Sequence, residues 1–386
     1  MSELQLLFLV LTLLYGWECA CWVRRGSVAF STWLGRDWRA RHPGTLLGNQ
    51  YGGFIFAAPL PPLGTLITAS QFPLSLSPEG MLAAVATNVN PGWRPPQSEI
   101  FFHFSEIREI EARGRKLFIN GKLALKTSSA ELARQFAKEV QQLMKLSPPL
   151  REAALNEGVG AALDAKNVKD RWLVFQKLSR PVRLFANTLF AYLFLVVPVL
   201  IWQFGFKSSW LGLLIGLFAL ATATAVLFYR AHRALYPEAE DERFTHTLTI
   251  LLAPMTAMRA HDALSRPLFE RFHPLALARV FLPTNDFHDF ARRVLLDIQH
   301  PALPVCSSAE PAAHATEFYA RTTLRHAAES FLTQSGVEPD DLCRPPAAMD
   351  ASCRAYCPRC RAQFTTASGT CADCGGLALV AFQKTG

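Results

Sequence analysis

Two long apolar runs near the middle of the chain dominate its pattern of hydrophobic and polar positions. Residues 184–206 and 210–229 contain no charged side chain. Each run is long enough, at about 1.5 Å per helical residue, to cross a hydrocarbon layer of about 30 Å. Only a Lys-Ser-Ser turn, residues 207–209, separates them. This pattern predicts an antiparallel transmembrane hairpin over residues 184–229, and the alternative is a buried helix pair in a soluble core.

A third apolar run opens the chain. Residues 1–23 lack the basic start and small-residue cleavage site of a secretory signal, and therefore predict an N-terminal transmembrane anchor. Glu18 near its inner end is expected at the membrane interface, beside Arg24 or Arg25. Basic residues follow this run and flank the central hairpin on both outer sides. By the positive-inside rule, the N-terminus lies outside, and the soluble regions and the C-terminus are cytoplasmic.

Between the anchor and the hairpin the pattern changes to that of β-strands. A basic juxtamembrane segment, residues 24–51, precedes a strand-rich domain over residues 52–150. Within it, Ser77-Pro78-Glu79-Gly80 and Asn120-Gly121 predict hairpin turns. For Asn120-Gly121 the reason is that Asn and Gly tolerate the positive φ of a type I′ turn. Ser128-Ser129-Ala130-Glu131 then fits a helix capping box. The apolar face of that helix consists of Leu132, Phe136, Val140 and Leu143.

Antiparallel strands closed by one amphipathic helix resemble the pleckstrin-homology-like (PH-like) fold, including its small bacterial versions. The resemblance covers residues 52–146 and rests on element order, above all on FSEIREIEARGRKLFINGK followed by SSAELARQFAKEV. It implies a binding or assembly module, which we expect on the cytoplasmic face of a bacterial inner membrane. A phosphoinositide site does not follow, because a solvated hairpin would carry the same basic residues, Arg113, Arg115, Lys116 and Lys122.

The region after the hairpin, residues 230–336, is predicted to be helical and cytoplasmic. Residues 237–243 have the composition of an acidic linker. Residues 244–264 are apolar but are interrupted by Pro254, which favours an interfacial or hairpin-packed helix over a further span. Whether this segment enters the membrane is left open by the sequence.

Two further helices are predicted at residues 286–300 and 310–335, the second ended by Gly336, and a Pro-rich linker follows. Histidines recur through this region without the spacing of metal ligands. We therefore interpret them as surface or boundary residues rather than as a metal or proton-transfer cluster. They are His246, His261, His273, His288, His300, His314 and His326.

Two Cys-x-x-Cys pairs near the C-terminus form the clearest chemical motif. The candidate metal ligands are Cys357, Cys360, Cys371 and Cys374. Thiolates hold Zn²⁺ tetrahedrally, and four of them leave no open coordination position. The pattern resembles the zinc-ribbon and rubredoxin-type knuckles over residues 353–383. The resemblance implies a structural metal site, with zinc as the expected metal and iron as the alternative.

Several details of this knuckle are also predicted. The ten residues between the two pairs are expected to form a β-hairpin that brings the second pair over the first. Tyr356 and Phe364 are expected to shield the metal. Cys353 lies four residues before the first pair and could replace a ligand, but we interpret it as a bystander.

Composition and charge limit the class of protein. Half of the residues are apolar, 18% are charged and the formal net charge is +8, which in a membrane protein reflects basic residues beside the spans. Five of the nine cysteines lie outside the two pairs and show no disulfide framework, which indicates a reducing compartment. These five are Cys19, Cys21, Cys306, Cys343 and Cys353.

No phosphate loop, dinucleotide fingerprint, nucleophile elbow or metalloprotease helix occurs in the sequence, so we expect no enzyme. The sequence predicts an α+β membrane protein with about three transmembrane helices, a PH-like β-rich cytoplasmic domain, a helical region and a C-terminal zinc ribbon. The predicted function is a membrane-anchored, cytoplasmic-facing scaffold or sensor that binds a protein partner. The alternative is a membrane redox component with a rubredoxin-like iron site. Nucleic-acid binding is disfavoured, because the tail is only mildly basic.

Overall fold

The structure is a computed structural model of the chain. It describes residues 6, 53–57, 66–70, 74–85, 98–127, 130–252, 254–257, 260–265, 272–281, 284–300, 310–374 and 376–382. The predicted N-terminal anchor (1–23) and basic segment (24–51) lie outside the described residues, apart from Leu6. So do Ser128 and Ser129 of the predicted capping box.

Short antiparallel strands and one helix make up the first folded unit, which we call the β-module. The strands are β1 (Gly53–Ala57), β2 (Leu66–Ser70), β3 (Leu74–Leu76), β4 (Gly80–Val85), β5 (Ser98–His103), β6 (Ile110–Arg113), β7 (Lys116–Ile119) and β8 (Lys122–Lys126). β1 pairs with β2, and the remaining strands form two sheets in the orders β3-β4-β5 and β6-β7-β8. The helix is α1 (Ala130–Lys145).

The backbone and the hydrogen bonds of Asn120-Gly121 agree with the predicted hairpin turn. Asn120 and Gly121 have φ values of 49° and 75°, as a type I′ turn requires. The Asn120 carboxamide also accepts hydrogen bonds from the backbone N–H groups of Arg108 (2.8 Å) and Glu109 (3.1 Å). Its amide nitrogen donates to the carbonyl of Glu106 at 2.9 Å. The β7–β8 turn therefore also holds the loop that leads into β6.

The helix α1 packs on the β6-β7-β8 sheet through contacts with β6 and β7. Leu132 and Val140 on its predicted face are buried. Phe136 is half-buried against one cluster of buried side chains, and Leu143 is half-buried against a second cluster, which includes Val140. Strands followed by one amphipathic helix reproduce the predicted element order. The PH-like assignment rests on that order and stays a prediction.

The rest of the chain is mainly helical. The helices are α2 (Pro148–Ala162), α3 (Ala165–Ala191), α4 (Val197–Phe204), α5 (Phe206–Leu235), α6 (Glu240–Leu252), α7 (Pro254–Ala257), α8 (Ala260–Ser265), α9 (Pro274–Phe281), α10 (Thr284–Gln299), α11 (Pro311–Gln334) and α12 (Pro339–Cys343). α3 packs on α5, and α6, α7 and α8 pack against this pair. The largest fully buried side chains of this helical core include Phe175, Phe228, Leu275 and Phe287.

The predicted helical hairpin is present, but its turn lies earlier than predicted. The chain reverses at Gly205, whose φ of 74° and ψ of 156° belong to a region essentially restricted to glycine. Residues 207–209 lie in the first turn of α5 and not in a loop. Before the turn, a π-helical segment, Tyr192–Val196, precedes Pro198. The Tyr192 hydroxyl donates to the carbonyl of Leu213 at 2.7 Å and so ties the two arms together.

One helix among the described residues, Leu211–Leu235 within α5, is long and apolar enough to cross a membrane by length and composition. Only 22% of an 18-residue apolar stretch in this helix is buried, whereas a core helix of a soluble protein would be mostly buried. The predicted three spans are not confirmed. The run at residues 184–206 is divided among α3, the π-helical segment and α4, and the N-terminal run lies outside the described residues.

The acidic residues predicted as a linker belong largely to a helix. Glu240, Asp241 and Glu242 form the first turn of α6, where their negative charge is favourable to the helix dipole. The two later helices agree with prediction as α10 and α11. After α11, Gly336 has a φ of 76°, and Val337 N–H donates to the Leu332 carbonyl at 2.9 Å, a Schellman arrangement at the predicted stop.

Gly80 offers a test of the β3–β4 turn. A Cβ atom there would lie 2.5 Å from the Phe102 carbonyl oxygen and 2.6 Å from the Phe101 ring. We expect Gly80→Ala to destabilise the β-module by about 1–3 kcal/mol, because the Phe102 carbonyl belongs to the backbone of β5 and cannot shift without disturbing the β4–β5 pairing. The control Gly158→Ala adds a Cβ in open space within α2 and should stabilise by about 0.5–1 kcal/mol. Thermal unfolding of the full chain in detergent measures both, and unchanged unfolding of Gly80→Ala would contradict the packing described.

Candidate metal centre

The last unit of the chain is built from two small sheets around the cysteine pairs, and we call it the ribbon. Its strands are β9 (Ala355–Tyr356), β10 (Gln363–Phe364), β11 (Thr370–Cys371), β12 (Leu377–Ala378) and β13 (Val380–Ala381). The sheets have the orders β10-β9-β13 and β11-β12. The predicted hairpin between the two pairs is therefore wrong. β10 and β11 pair with other strands, so that each Cys-x-x-Cys lies within its own hairpin.

Each cysteine pair is held by a tight turn of the backbone. In the first turn, Arg361 N–H donates to the Cys357 carbonyl at 2.9 Å, and Arg361 itself has a φ of 63°. In the second, Gly376 N–H donates to the Cys371 carbonyl at 2.9 Å with a φ of 87°. Positive φ is easy for glycine and costly for arginine. Two similar turns thus present their sulfur atoms to a common centre.

The four sulfur atoms have the spacing of a metal site. The Sγ atoms of Cys357, Cys360, Cys371 and Cys374 all lie within 4.8 Å of one another. The distance from Cys360 to Cys371 is 3.7 Å, whereas a disulfide bond would need about 2.05 Å. Four sulfurs placed tetrahedrally at about 2.3 Å from zinc would lie about 3.8 Å apart. The cluster can therefore hold a metal ion, and its geometry does not distinguish one thiolate-binding metal from another.

Apolar side chains cover most of this centre. Cys357, Cys371 and Cys374 are buried, and Cys360 is exposed. The half-buried side chains packed against the sulfurs are Phe364, Leu377 and Leu379. Phe364 is one of the two side chains predicted to shield the metal, and it lies against the sulfur cluster. Tyr356, the other predicted shield, instead lies with its ring centroid 5.2 Å from that of Phe382.

Electrostatics favour a cation among these thiols. Burial raises the pKa of Cys357, but hydrogen bonds from the backbone N–H groups of Cys360 and Arg359 bring it below the ordinary value. Burial and then the neighbouring sulfur of Cys357 raise the pKa of Cys360 to about 11. Burial, and then the sulfur atoms of Cys360 and Cys357, raise the pKa of Cys374 above its ordinary value. Because one thiolate suppresses ionisation of its neighbours, a bound cation is what would let all four ionise together.

The linker before the ribbon lies against it instead of hanging free. Arg361 donates to the carbonyl of Arg344 at 2.6 Å, and the Gln363 side chain donates to the carbonyl of Ala347 at 2.7 Å. The Gln363 carboxamide oxygen accepts from Met349 N–H at 2.8 Å. These bonds hold the Pro-rich stretch to the first sheet of the ribbon.

The remaining cysteines and histidines form no further metal group within the described part of the chain. Cys353 is half-buried and lies outside the sulfur cluster, in agreement with its interpretation as a bystander. Cys19, Cys21 and Cys306 lie outside the described residues. His261 is not a surface residue, contrary to prediction. It is buried with Nε2 3.2 Å from the Ser179 hydroxyl and with its ring 5.2 Å from that of Phe175.

Two buried polar side chains at the α5–α6 contact were not singled out from the sequence. His232 and Arg243 are buried. The Arg243 guanidinium donates to the Pro237 carbonyl at 3.2 Å and lies 5.5 Å from the Tyr229 ring centroid. Their burial depends on how α6 packs on α5, and no spacing in the sequence indicates it.

Comparison of the chain with protein-family models, with curated proteins and with solved structures gave no match.

The metal content of cysteine variants tests whether the ribbon holds a metal ion at the four thiols. Cys371→Ser replaces a buried sulfur of the cluster, and we expect loss of stoichiometric metal, since three thiols cannot close a tetrahedral site. Because so small a unit has almost no core, amide protection in β9–β13 should be lost with the metal. The matched control Cys353→Ser removes a neighbouring thiol outside the cluster and should retain both. The measurements are elemental analysis and hydrogen exchange of the full chain in detergent. Equal metal loss in both variants would contradict the assignment.

The buried His261 predicts a dependence of stability on pH. Burial, with a contribution from Arg183, lowers the pKa of His261 to about 4, whereas an unfolded histidine titrates near 6.5. Between these values the unfolded chain binds more protons, so stability falls as the pH falls from about 6.5 to 4. Above 6.5 both states are neutral and the contribution vanishes.

We therefore expect His261→Gln to reduce the slope of stability against pH in that window by up to about 1.4 kcal/mol per pH unit. His326→Gln is the control, since that side chain is 74% exposed. The apparent unfolding temperature between pH 4 and 7 is the measurement. Metal loss from the ribbon affects both variants equally, so their difference reports the histidine. Identical slopes would show that His261 has the same pKa in the folded and unfolded states, contrary to the burial described.

Proposed function

We propose that this protein is a membrane-anchored scaffold or sensor. Its soluble regions lie on the cytoplasmic face of a bacterial inner membrane and bind a protein partner through the PH-like β-module and the zinc ribbon. The observation that carries the proposal is a closed site of four thiols, in a chain whose longest apolar helix is mostly uncovered. Such a site stabilises a fold and leaves no position for substrate.

Uncovered apolar surface supports the membrane location. Large hydrophobic side chains are exposed along both arms of the α3–α5 hairpin, and the exposed fraction reaches 87% for Trp202 near the turn. Others on this surface are Leu184, Leu195, Val196, Val199, Phe204, Leu211, Leu214, Ile215, Phe218 and Val226. A continuous apolar surface of this kind would be unstable in water and is typical of lipid-facing helices. Basic residues beside both outer ends favour a cytoplasmic location for those ends.

The contact between the β-module and α6 would hold that module near the inner membrane surface. The Glu242 carboxylate accepts a hydrogen bond from Ala130 N–H, at the start of α1, at 2.7 Å. It also lies 3.6 Å from the Arg115 guanidinium. Glu242 belongs to the first turn of α6, which follows α5 directly. One carboxylate therefore joins the N-terminus of α1 and a β-module side chain to the end of the membrane helix.

A second contact joins the β-module to α11. The hydroxyls of Ser77 and Thr316 lie 2.7 Å apart and are buried, and Leu82 packs against Ala313. His103 Nε2 lies 3.2 Å from a carboxylate oxygen of Glu310. With two such contacts the β-module is an integral part of the cytoplasmic region, as a docking platform requires.

The alternative function is a membrane redox component with iron at the four cysteines. The observation that favours it is the exposure of Cys360, which brings one metal-ligand sulfur to the surface. We prefer zinc, because no flavin- or nicotinamide-binding motif accompanies the site in the sequence. Nucleic-acid binding stays disfavoured on the charge of the tail.

The metal and the topology together test the proposal. We expect the intact protein, purified from membranes, to contain zinc and to show no iron charge-transfer absorption. Ser209→Cys in the first turn of α5, next to the chain reversal at Gly205, and Ser368→Cys in the ribbon should react with a membrane-impermeant maleimide from opposite sides. The parent chain serves as the labelling background. Iron that cycles between redox states would support the alternative, and labelling of both positions from one side would contradict the orientation.

Partner binding is tested on the same preparation. Crosslinking in native membranes should join the parent chain to a defined protein partner, and the Cys371→Ser variant should lose this product while it stays in the membrane. Cys353→Ser is again the control and should keep the product. An identical crosslinking pattern in both variants would show that the ribbon does not take part in docking.

A further inference from the structure

We infer that α6 enters the bilayer beside α5 as part of a re-entrant segment, so that lipid acyl chains cover its outer face. That face is the stripe of Phe244, Leu248 and Leu252, which we call the outer stripe. The inference rests on the proposed membrane location of the α3–α5 hairpin and extends it. It adds a segment, from α6 to α8, that starts and ends on the cytoplasmic side.

The direction of α6 follows from its connection to α5. Only residues 236–239 separate the two helices, and the helices pack along each other. They are therefore antiparallel, and α6 returns along the membrane helix. The His246 ring centroid lies 6.0 Å from that of Phe228, which places His246 near the end of the apolar run of α5. At about 1.5 Å per residue, Leu252 lies about 9 Å further into the hydrocarbon layer.

The outer stripe is apolar and uncovered. Phe244, Leu248 and Leu252 are 65%, 42% and 74% exposed and are spaced by four residues, so that they share one face of α6. The opposite side of α6 packs against the protein, since Arg243 and Ile250 on it are buried. No Asp, Glu, Lys or Arg occurs from Phe244 to Met258. A surface helix in water would have a polar outer face. Past the first turn of α6, the large exposed side chains are apolar, and the smaller exposed ones are Thr245 and Thr249.

The threonines of α6 hydrogen-bond within their own helix. The hydroxyls of Thr245, Thr247 and Thr249 donate to the carbonyls four residues earlier at 2.9, 2.7 and 2.7 Å. Thr224 within α5 does the same at 2.7 Å. In lipid no water is present to satisfy a hydroxyl, so such internal bonds are what membrane depth requires.

The segment returns to the side from which it entered. Past the end of α6, the Thr256 hydroxyl donates to the carbonyl of Thr249 at 3.1 Å and satisfies one of the last carbonyls of the helix. α8 then ends beside the start of the segment, where the Tyr236 hydroxyl donates to the Leu264 carbonyl at 2.6 Å. Ala257, Ala260 and Leu264 are buried against the bundle. Entry and exit therefore lie together, as in a re-entrant hairpin.

Lipid is the occupant that these observations favour. Because α6 returns along α5, the outer stripe runs from near the level of Phe228 back toward the middle of the bilayer. The charges of α6 are confined to its first turn, Glu240 to Arg243, at the aqueous end. A soluble partner protein would have to reach Leu252 beside the middle of a membrane helix.

Site-directed spin labelling of the full chain tests the inference. The five cysteines outside the metal site are replaced by serine, and single cysteines are introduced as Phe244→Cys, Leu252→Cys, Ile215→Cys and Phe318→Cys. The protein is reconstituted into phosphatidylcholine and phosphatidylglycerol vesicles, and power saturation measures collisions with oxygen and with a water-soluble nickel complex. The chain without an introduced cysteine gives the label background. Ile215 marks the hairpin surface, and Phe318, which is 74% exposed on α11, marks the aqueous region.

We expect Leu252 to resemble Ile215, with high oxygen accessibility and loss of nickel accessibility relative to Phe318, and Phe244 to lie between them. If Leu252 resembles Phe318 while Ile215 lies in lipid, the inference is overturned and the membrane hairpin stands. A Leu252 label shielded from both reagents would place protein over the outer stripe and would also overturn it. If Ile215 itself collides freely with nickel, the proposed membrane location fails as well.

Discussion

The antiparallel contact between α3 and α5 is the interaction on which the rest of the structure depends. Its core residues, such as Phe175 and Phe228, also form the surface on which α6, α8 and α9 pack. The same contact turns the remaining apolar side chains outward, where they are exposed among the described residues. One pair of helices thus supplies both the centre of the helical bundle and the surface proposed to face lipid.

The β-module is positioned relative to that pair by a few polar contacts. Glu242 connects the start of α6 with the β-module, and the buried pair Ser77–Thr316 connects the same module with α11. The ribbon is organised differently, because it has almost no core beyond the sulfurs and three apolar side chains. Its strands are two residues long, so their arrangement is expected to depend on a metal at the four thiols.

Sequence reasoning succeeded where the determining chemistry is local. The Asn120-Gly121 turn, the stop of α11 at Gly336 and the cysteine spacing all follow from neighbouring residues. It failed where one pattern is compatible with two structures. Acidic residues at 240–242 suit a linker as well as a first helical turn, and the chain reversal lies at Gly205 rather than at the polar residues after it. The pairing of β10 and β11 was wrong, because strands this short carry almost no pattern of their own.

By itself, the sequence determined where the apolar runs lie, the glycine-dependent turns at Gly121 and Gly336, and a set of four soft ligands. These properties depend on covalent spacing and on intrinsic conformational preference. Only the tertiary structure decided which apolar faces stay uncovered, that α6 returns along α5, and that His261 and Arg243 are buried. Those features arise from surfaces far apart in the chain, and local patterns do not encode which surfaces meet.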